Sequence, residues 1–191
     1  MLKPIKISLD LELEQPFTKI GVEDSKLKIQ KIIQVGYCVF NADTGEFLKE
    51  VCKEVNIGVP LSNFIKNLTG ITDEQIKKGT SLVKIIEELY SDILIYNADK
   101  KLLTWGAGDQ EAIKVELPKD YPWKLGRSSF NVKHLYQLYR DLRGEKVSSG
   151  LKKSMNRLGL NFEGSAHNAL VDAKNTAFIF MKLTKKINIK D

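Results

Sequence analysis

Cysteine, histidine and tryptophan are scarce in this chain of 191 residues, and each occurs only twice. Cys38 and Cys52 lack CxxC-type spacing, so they indicate neither a zinc site nor a disulfide framework, and a reducing cytoplasm is the expected environment. No stretch approaches the roughly 18 apolar residues of a membrane span, and the opening segment MLKPIKISLDLEL lacks the continuous apolar core of a signal peptide. These absences favour a cytoplasmic globular protein with no membrane partner.

Acidic residues are scarce in one part of the chain. The net charge is +6, but the segment from Lys124 to Arg157 holds nine basic and only two acidic residues, which leaves a net charge of −1 for the rest. A concentrated basic segment suits a polyanionic partner such as nucleic acid. A solvated helix face explains the same pattern, and charge alone favours that explanation.

The first half of the sequence begins with strand patterns. Apolar and polar residues alternate strictly over residues 5–13, a period of two that predicts a β-strand. The Ile- and Val-rich segment 31–40 predicts a second strand. The turn-forming segment NADTGE then precedes a third predicted strand over 47–55. Three consecutive strands joined in this way predict an antiparallel meander.

Helical and strand patterns alternate in the remainder. Gly70 is suited to end a first helix, and Thr72 with Gln75 forms a capping box that begins the next. The patterns that follow predict a helix over 81–94, a short strand over 101–105, a helix beginning near Asp109, a short strand running into a helix within 128–142, a helix over 150–160, and a long helix within 166–186. This order predicts a mixed sheet with helices packed on it, in a single domain over residues 1–191.

Two carboxylates lie on the same side of the first predicted strand. Asp10 and Glu12 are separated by one residue, so both side chains point the same way. An amphipathic strand with its polar face in water explains them without any function. If helices cover both faces of the strand, however, two adjacent buried charges need a cation or a metal. Paired carboxylates are hard oxygen ligands suited to Mg²⁺ or Mn²⁺.

Three further polar residues stand where elements begin. Asp109 follows a short strand and the GAG turn; it is either a helix N-cap or a site residue, since sites gather where strands end and helices begin. Asp172 lies beside Ala169 and Ala173 on the last helix, whose small side chains allow a close approach, so it can point into the sheet or simply lie on the surface. His167 stands just before that helix, where an exposed or hydrogen-bonded histidine is the ordinary alternative.

The ordered set of these residues is similar to a known family pattern. Asp10-x-Glu12, Asp109 within TWGAGD, and His167-x-Ala-x-x-Asp172 resemble the three exonuclease motifs of the DEDDh 3′–5′ exonucleases, the group of RNase T and the proofreading subunit of bacterial DNA polymerase. The resemblance covers nearly the whole chain. Within the family, the chain most resembles the histone-mRNA exonuclease branch, in the segments IIQVGYCVFNADTGEFL, LTGITDEQI, NVKHLY and GLKKSMNRLGLNFEGSAHNALVDAKNTA.

The resemblance implies a fold, a reaction and a cofactor. The implied fold is the α/β ribonuclease H-like fold, a mixed five-stranded sheet (three antiparallel strands, then parallel strands) flanked by helices. The implied reaction removes nucleoside 5′-monophosphates from the 3′ end of single-stranded nucleic acid, with RNA somewhat favoured over DNA. Two Mg²⁺ or Mn²⁺ ions would be held by four carboxylates, namely Asp10, Glu12, Asp109 and Asp172. His167 would act as the general base.

Two rival functions are compatible with the same residues. One is a catalytically weak or inactive module with this fold, which would bind nucleic acid or a protein partner. The other is a metal-dependent hydrolase of small phosphoesters. The presence of all five motif residues favours an active enzyme over the first rival, and the basic segment favours a polymeric substrate over the second.

Overall fold

An antiparallel meander forms the first half of the sheet. The computed structural model describes residues 3–16, 18–19, 23–145 and 150–186. Its first strands are β1 (Ile5–Glu14), β2 (Lys31–Asn41) and β3 (Phe47–Glu54). The β2–β3 turn is closed by Asn41, whose Oδ1 accepts hydrogen bonds from the backbone N–H groups of residues 43 and 44. The predicted meander is therefore confirmed, with strand ends that differ from the prediction by one residue.

Three helices follow the meander: α1 (Asn63–Thr69), α2 (Asp73–Lys78) and α3 (Leu82–Ile95). Gly70 ends α1 in the left-handed conformation, with φ at 74°, which a glycine adopts without a Cβ clash. Thr72 and Gln75 form the predicted capping box at the start of α2. Local sequence signals thus determine where these helices begin and end.

The second half of the chain completes a mixed sheet. Strands β4 (Leu103–Thr104) and β5 (Phe130–Asn131) are both short, and β4 covers less than the predicted 101–105. The strand order is β3-β2-β1-β4-β5, with β4 parallel to β1 and β5 parallel to β4. The predicted mixed five-stranded sheet is confirmed, and β1 lies at its centre. The remaining helices are α4 (Asp109–Glu116), α5 (Val132–Asp141), α6 (Leu151–Arg157) and α7 (Ala169–Lys186).

Helices cover both faces of the central strand. Apolar side chains of β1, such as Leu9, pack with α3 and α4 in one core. A second core joins the other face of the sheet to α5, α6 and α7. Ser8, Glu12 and Glu14 on this second face are buried, so the alternative of a polar face in water is wrong. The periodicity of β1 showed which side chains share a face, but not that α7 would cover them.

The helices also bear on the predicted absence of a membrane span and on the predicted helix lengths. Of the helices that the structure describes, none combines the length and the apolarity needed to cross a bilayer. Lys146 of the predicted basic segment lies outside the described residues, as do both ends of the predicted 1–191 domain. The helix predicted over 150–160 is shorter than expected, since α6 ends at Arg157 and Gly159 follows with φ at 70°.

Candidate active site

Glycine at one position of β2 allows the last helix to lie directly on the sheet. In the antiparallel register, Gly36 is the partner of Asp10. A Cβ atom at Gly36 would stand 2.0 Å from the backbone nitrogen of Leu170, a distance that no side chain tolerates. The absence of a side chain therefore lets the first turn of α7 approach the β1–β2 pair, and Asp172 arrives on the face that carries Asp10 and Glu12.

The start of α7 holds Asp172 and His167 together. Asn168 accepts a hydrogen bond from the backbone N–H of Val171 through its side chain, at 3.1 Å, as an N-cap residue does. Asp172 Oδ2 accepts a hydrogen bond from the backbone N–H of His167, at 3.1 Å. His167 has φ at 63°, a left-handed conformation that is uncommon outside glycine and is found at functional sites. The chain thus turns sharply before α7, and the imidazole of His167 lies close to the carboxylates of Glu12 and Asp172.

Three of the predicted residues form a compact group of ligand atoms. One oxygen each of Glu12 and Asp172 and one ring nitrogen of His167 all lie within 4.8 Å of one another. Oδ1 of Asp172 is buried and has no hydrogen-bond partner among the described residues. A buried polar atom is normally satisfied by protein, water or an ion. This donor set, rich in carboxylate oxygen, fits a hard divalent cation such as Mg²⁺ or Mn²⁺.

Asp10 and Asp109 stand beside this group without contributing an atom to it. Asp109 is the first residue of α4, and Gly108, with φ at 114°, occupies the N-cap position. The alternative of Asp109 as the N-cap is therefore wrong. The negative charges of Asp109, Asp172 and Glu12 all raise the pKa of Asp10, so the four carboxylates form one electrostatic cluster.

Burial is the main cause of the raised pKa values in this cluster. It raises the pKa of Asp10 well above its usual range, and the three neighbouring carboxylates raise it further. Burial, with the charges of Asp172 and Asp109, raises the pKa of Glu12 to about 7. Burial is also the main reason that the pKa of Asp109 rises to about 6. Burial also raises the pKa of Asp172, although the hydrogen bond from the His167 backbone partly offsets the rise. Cations at this place would offset the repulsion.

The predicted basic segment is only partly available to a polyanion. Arg140 and Arg143 both pair with Glu145, the second at 2.8 Å, so their charges are partly neutralised within the protein. On α6, the Nζ atom of Lys152 lies 5.6 Å from the ring centre of Phe162, and Lys153 beside it is exposed. The two lysines of α6 are thus the better candidates for phosphate contacts.

Two residues at the site were missed by sequence reasoning. Gly36 and Gln34, the register partners of Asp10 and Glu12, contact the first turn of α7. A signal for Gly36 was present, since an isolated glycine within an apolar strand often marks the close approach of another backbone. A lone glutamine in the same strand gives no comparable indication.

Comparisons with known proteins show which family this chain is similar to. The family model described as Exonuclease (RNase_T) matches residues 17–180, a match that begins after β1, so the positions of Asp10 and Glu12 rest on the strand geometry. The mouse 3′-5′ exoribonuclease 1 is 28% identical over 167 residues, which are 81% of this chain and 47% of the relative. The chain therefore spans about half the length of the curated relatives it matches.

Solved structures show the same fold at low sequence identity. The nuclease domain of 3′hExo, a DEDDh family member solved with rAMP bound, aligns with a TM-score of 0.79 at 20% identity, over 96% of this chain and 93% of that one. The Mg²⁺- and Mn²⁺-bound Pop2p of S. pombe aligns with a TM-score of 0.66 at 17% identity, over 95% and 83%. The fold is thus the ribonuclease H-like fold. Because the family match spans most of the sequence, the chain belongs to the exonuclease (RNase T) family.

Proposed function

We propose that this protein is a metal-dependent 3′–5′ exonuclease. It hydrolyses the terminal phosphodiester bond of single-stranded nucleic acid and releases nucleoside 5′-monophosphates. The proposal rests on the convergence of four carboxylates beside the first turn of α7, namely Asp10, Glu12, Asp109 and Asp172. His167 lies beside two of them. The similarity to exoribonucleases and to a nuclease domain solved with rAMP favours RNA over DNA as the substrate.

The four carboxylates would hold Mg²⁺ or Mn²⁺. Their combined charge of about −4 matches two divalent ions, and the raised pKa values and the unsatisfied Oδ1 of Asp172 mark a cluster that is incomplete without cations. When bound, the ions supply positive charge opposite the phosphodiester and increase the acidity of water. The protein contributes a rigid arrangement, because Asp10 and Glu12 belong to the central strand and Asp172 to a helix packed on it.

In this proposal, His167 accepts a proton. It is exposed, while one of its ring nitrogens lies within 4.8 Å of carboxylate oxygens of Glu12 and Asp172. A general base must reach the proton of the attacking water in a substrate complex, and a position at the solvent edge of the carboxylate cluster meets this need. The hydrogen bond from the backbone N–H of His167 to Asp172 fixes the backbone of His167. This bond does not use the imidazole, so the ring can take part in the proton transfer.

A groove lined in part by the turn before Asp109 suits a single strand. It has a volume of about 690 Å³ and begins at the glycine-bearing turn that precedes Asp109. Its walls include Ser128, Asn131 and His134, together with the apolar Leu138, which is 55% exposed. Hydroxyl, amide and imidazole groups can bond to phosphates and sugars, while an apolar wall favours unstacked bases. We propose that nucleotides upstream of the 3′ end lie here.

Oligonucleotides with a label at one end test the proposal. Purified protein with Mn²⁺ should shorten 5′-labelled single-stranded RNA one nucleotide at a time and release mononucleotides from 3′-labelled RNA. The Asp10→Asn variant, purified in parallel, controls for a contaminating nuclease. Internal cleavage, or shortening from the 5′ end, would contradict the proposed polarity. Binding of the oligonucleotide without turnover would return the protein to the class of inactive nucleic-acid-binding modules.

A further inference from the structure

We propose that Gln34 is a positioning residue for the metal cluster, acting through the N-terminus of α7. The activity part of this inference rests on the proposed function, but its metal-binding part does not. Gln34 is the register partner of Glu12 on the neighbouring strand, and it is only 2% exposed. It therefore lies on the face of the sheet that α7 covers, next to a residue of the cluster.

Both ends of the Gln34 amide are used. Oε1 accepts a hydrogen bond from the backbone N–H of Ala169 at 2.9 Å, and Nε2 donates one to Oε1 of Glu54 at 3.3 Å. A buried amide is unfavourable unless it is hydrogen-bonded, so these contacts fix the side chain in one orientation. Gln34 thus links three elements, namely its own strand β2, the neighbouring β3, and α7.

The bond to Ala169 controls the part of the chain that carries the site. Ala169 is the first residue of α7, two residues after His167 and three before Asp172. The first N–H groups of a helix have no partner within the helix. Asn168 satisfies the N–H of Val171 locally, whereas Gln34 satisfies that of Ala169 from the sheet. The helix end is therefore held against the strand that pairs with Glu12.

Gly36 and Gln34 restrict the position of α7 in different ways. The close contact at Gly36 limits how near α7 comes to β2, but a contact of that kind permits sliding along the sheet. A directional hydrogen bond at Gln34 removes this freedom, because its energy falls steeply when the angle changes. Glu12 and Asp172 must present oxygens within 4.8 Å of one another, so a small slide of α7 would open the group.

Replacing Gln34 with Met tests the inference, because Met has a similar length but neither accepts from Ala169 nor donates to Glu54. We expect the variant to bind Mn²⁺ about 10–100-fold more weakly, the usual effect of losing a residue that orients metal ligands. It should lower kcat by a similar factor and leave KM for the oligonucleotide nearly unchanged. Mn²⁺ binding is measured calorimetrically on the protein alone.

A reciprocal exchange provides the rescue. Gln34→Glu keeps the acceptor for Ala169 but places two carboxylates together, at positions 34 and 54. Adding Glu54→Gln restores a donor and an acceptor to the pair at constant net charge, so the double variant should recover most of the Mn²⁺ affinity that Gln34→Glu loses. This comparison also serves if Gln34→Met fails to fold.

A stability control separates positioning from general support of the fold. Asp92 is buried on the opposite face of the sheet, where it accepts hydrogen bonds from Tyr37 at 2.7 Å and Lys49 at 2.9 Å. Asp92→Asn should lower Tm and keep the wild-type Mn²⁺ affinity. The inference is overturned if Gln34→Met keeps that affinity, or if Asp92→Asn weakens it equally. If the wild type binds Mn²⁺ in a Gln34-dependent way but degrades no oligonucleotide, the proposed function fails and the positioning role stands.

Discussion

Replacing Glu12 with Gln should stabilise the metal-free protein while it weakens metal binding. Glu12 is 8% exposed, so burial raises its pKa, and the nearby charges of Asp172 and Asp109 raise it further. Without cations, folding at neutral or basic pH must bring these like charges together. Removing one of them relieves repulsion, which is the opposite of the effect expected for a residue that only supports the fold.

The magnitude follows from the pKa of Glu12, which is about 7 in the folded protein against an ordinary value of 4.5. At about 1.4 kcal/mol for each pH unit, the difference corresponds to about 3 kcal/mol, and solvent screening of the partly accessible cluster reduces it to roughly 1–3 kcal/mol. Because the folded pKa is raised, the cost is complete above pH 7, declines as the pH falls toward 4.5, and disappears below that value.

Thermal melts in EDTA provide the assay. At pH 8, Glu12→Gln should melt about 2–12 °C above the wild type, since each kcal/mol shifts Tm by about 2–4 °C in a protein of this size. The gain should shrink at pH 5. Asp120→Asn removes one exposed acid elsewhere and should give no comparable gain. Saturating Mn²⁺ should raise the Tm of the wild type more than that of Glu12→Gln. A variant that melts below the wild type in EDTA at pH 8 would refute the reasoning.

Three further predictions concern catalysis and substrate binding. Asp172→Asn should abolish turnover with the fold intact, as measured by oligonucleotide degradation and circular dichroism; near wild-type activity would remove Asp172 from the site. His167→Ala should lower kcat by roughly 10²–10⁴-fold with the Mn²⁺ affinity unchanged; an accompanying loss of that affinity would make His167 a ligand instead. Neutralising Lys152 and Lys153 together should make the plot of log affinity against log salt shallower, by about 0.7 for each lost phosphate contact to a single strand. An unchanged slope would assign both lysines to a solvated face.

The secondary structure was largely predictable because its signals are local. Strict alternation predicted β1 over 5–13, and the strand extends over Ile5–Glu14. The capping box at Thr72 and the glycine at position 70 predicted two helix ends correctly. Predictions were less accurate for β4, where only Leu103–Thr104 pair with neighbours. The length of a strand depends on the strands beside it, which the periodicity of one segment does not contain.

The family resemblance indicated the candidate site residues as a set, whereas no residue of the set could be assigned on its own. Asp10 and Glu12 taken alone looked better suited to a solvated strand face, since only the position of α7 decides their burial. Asp109 looked equally like an N-cap and a site residue, and the N-cap position is occupied by Gly108 instead. Gln34 and Gly36 were missed because their function depends on a helix more than a hundred residues away in the sequence. Such contacts are a property of the topology.

The pairing of β1 with α7 has a consequence for the order of events during synthesis. These are the first and last elements that the structure describes, and the carboxylate cluster requires both. A growing chain carries Asp10 and Glu12 well before it gains His167 and Asp172, which follow far later in the sequence. Contacts between such distant segments also form slowly in folding. The proposed metal site is therefore expected to form only after the segment that carries α7 has been synthesised and has packed against β1.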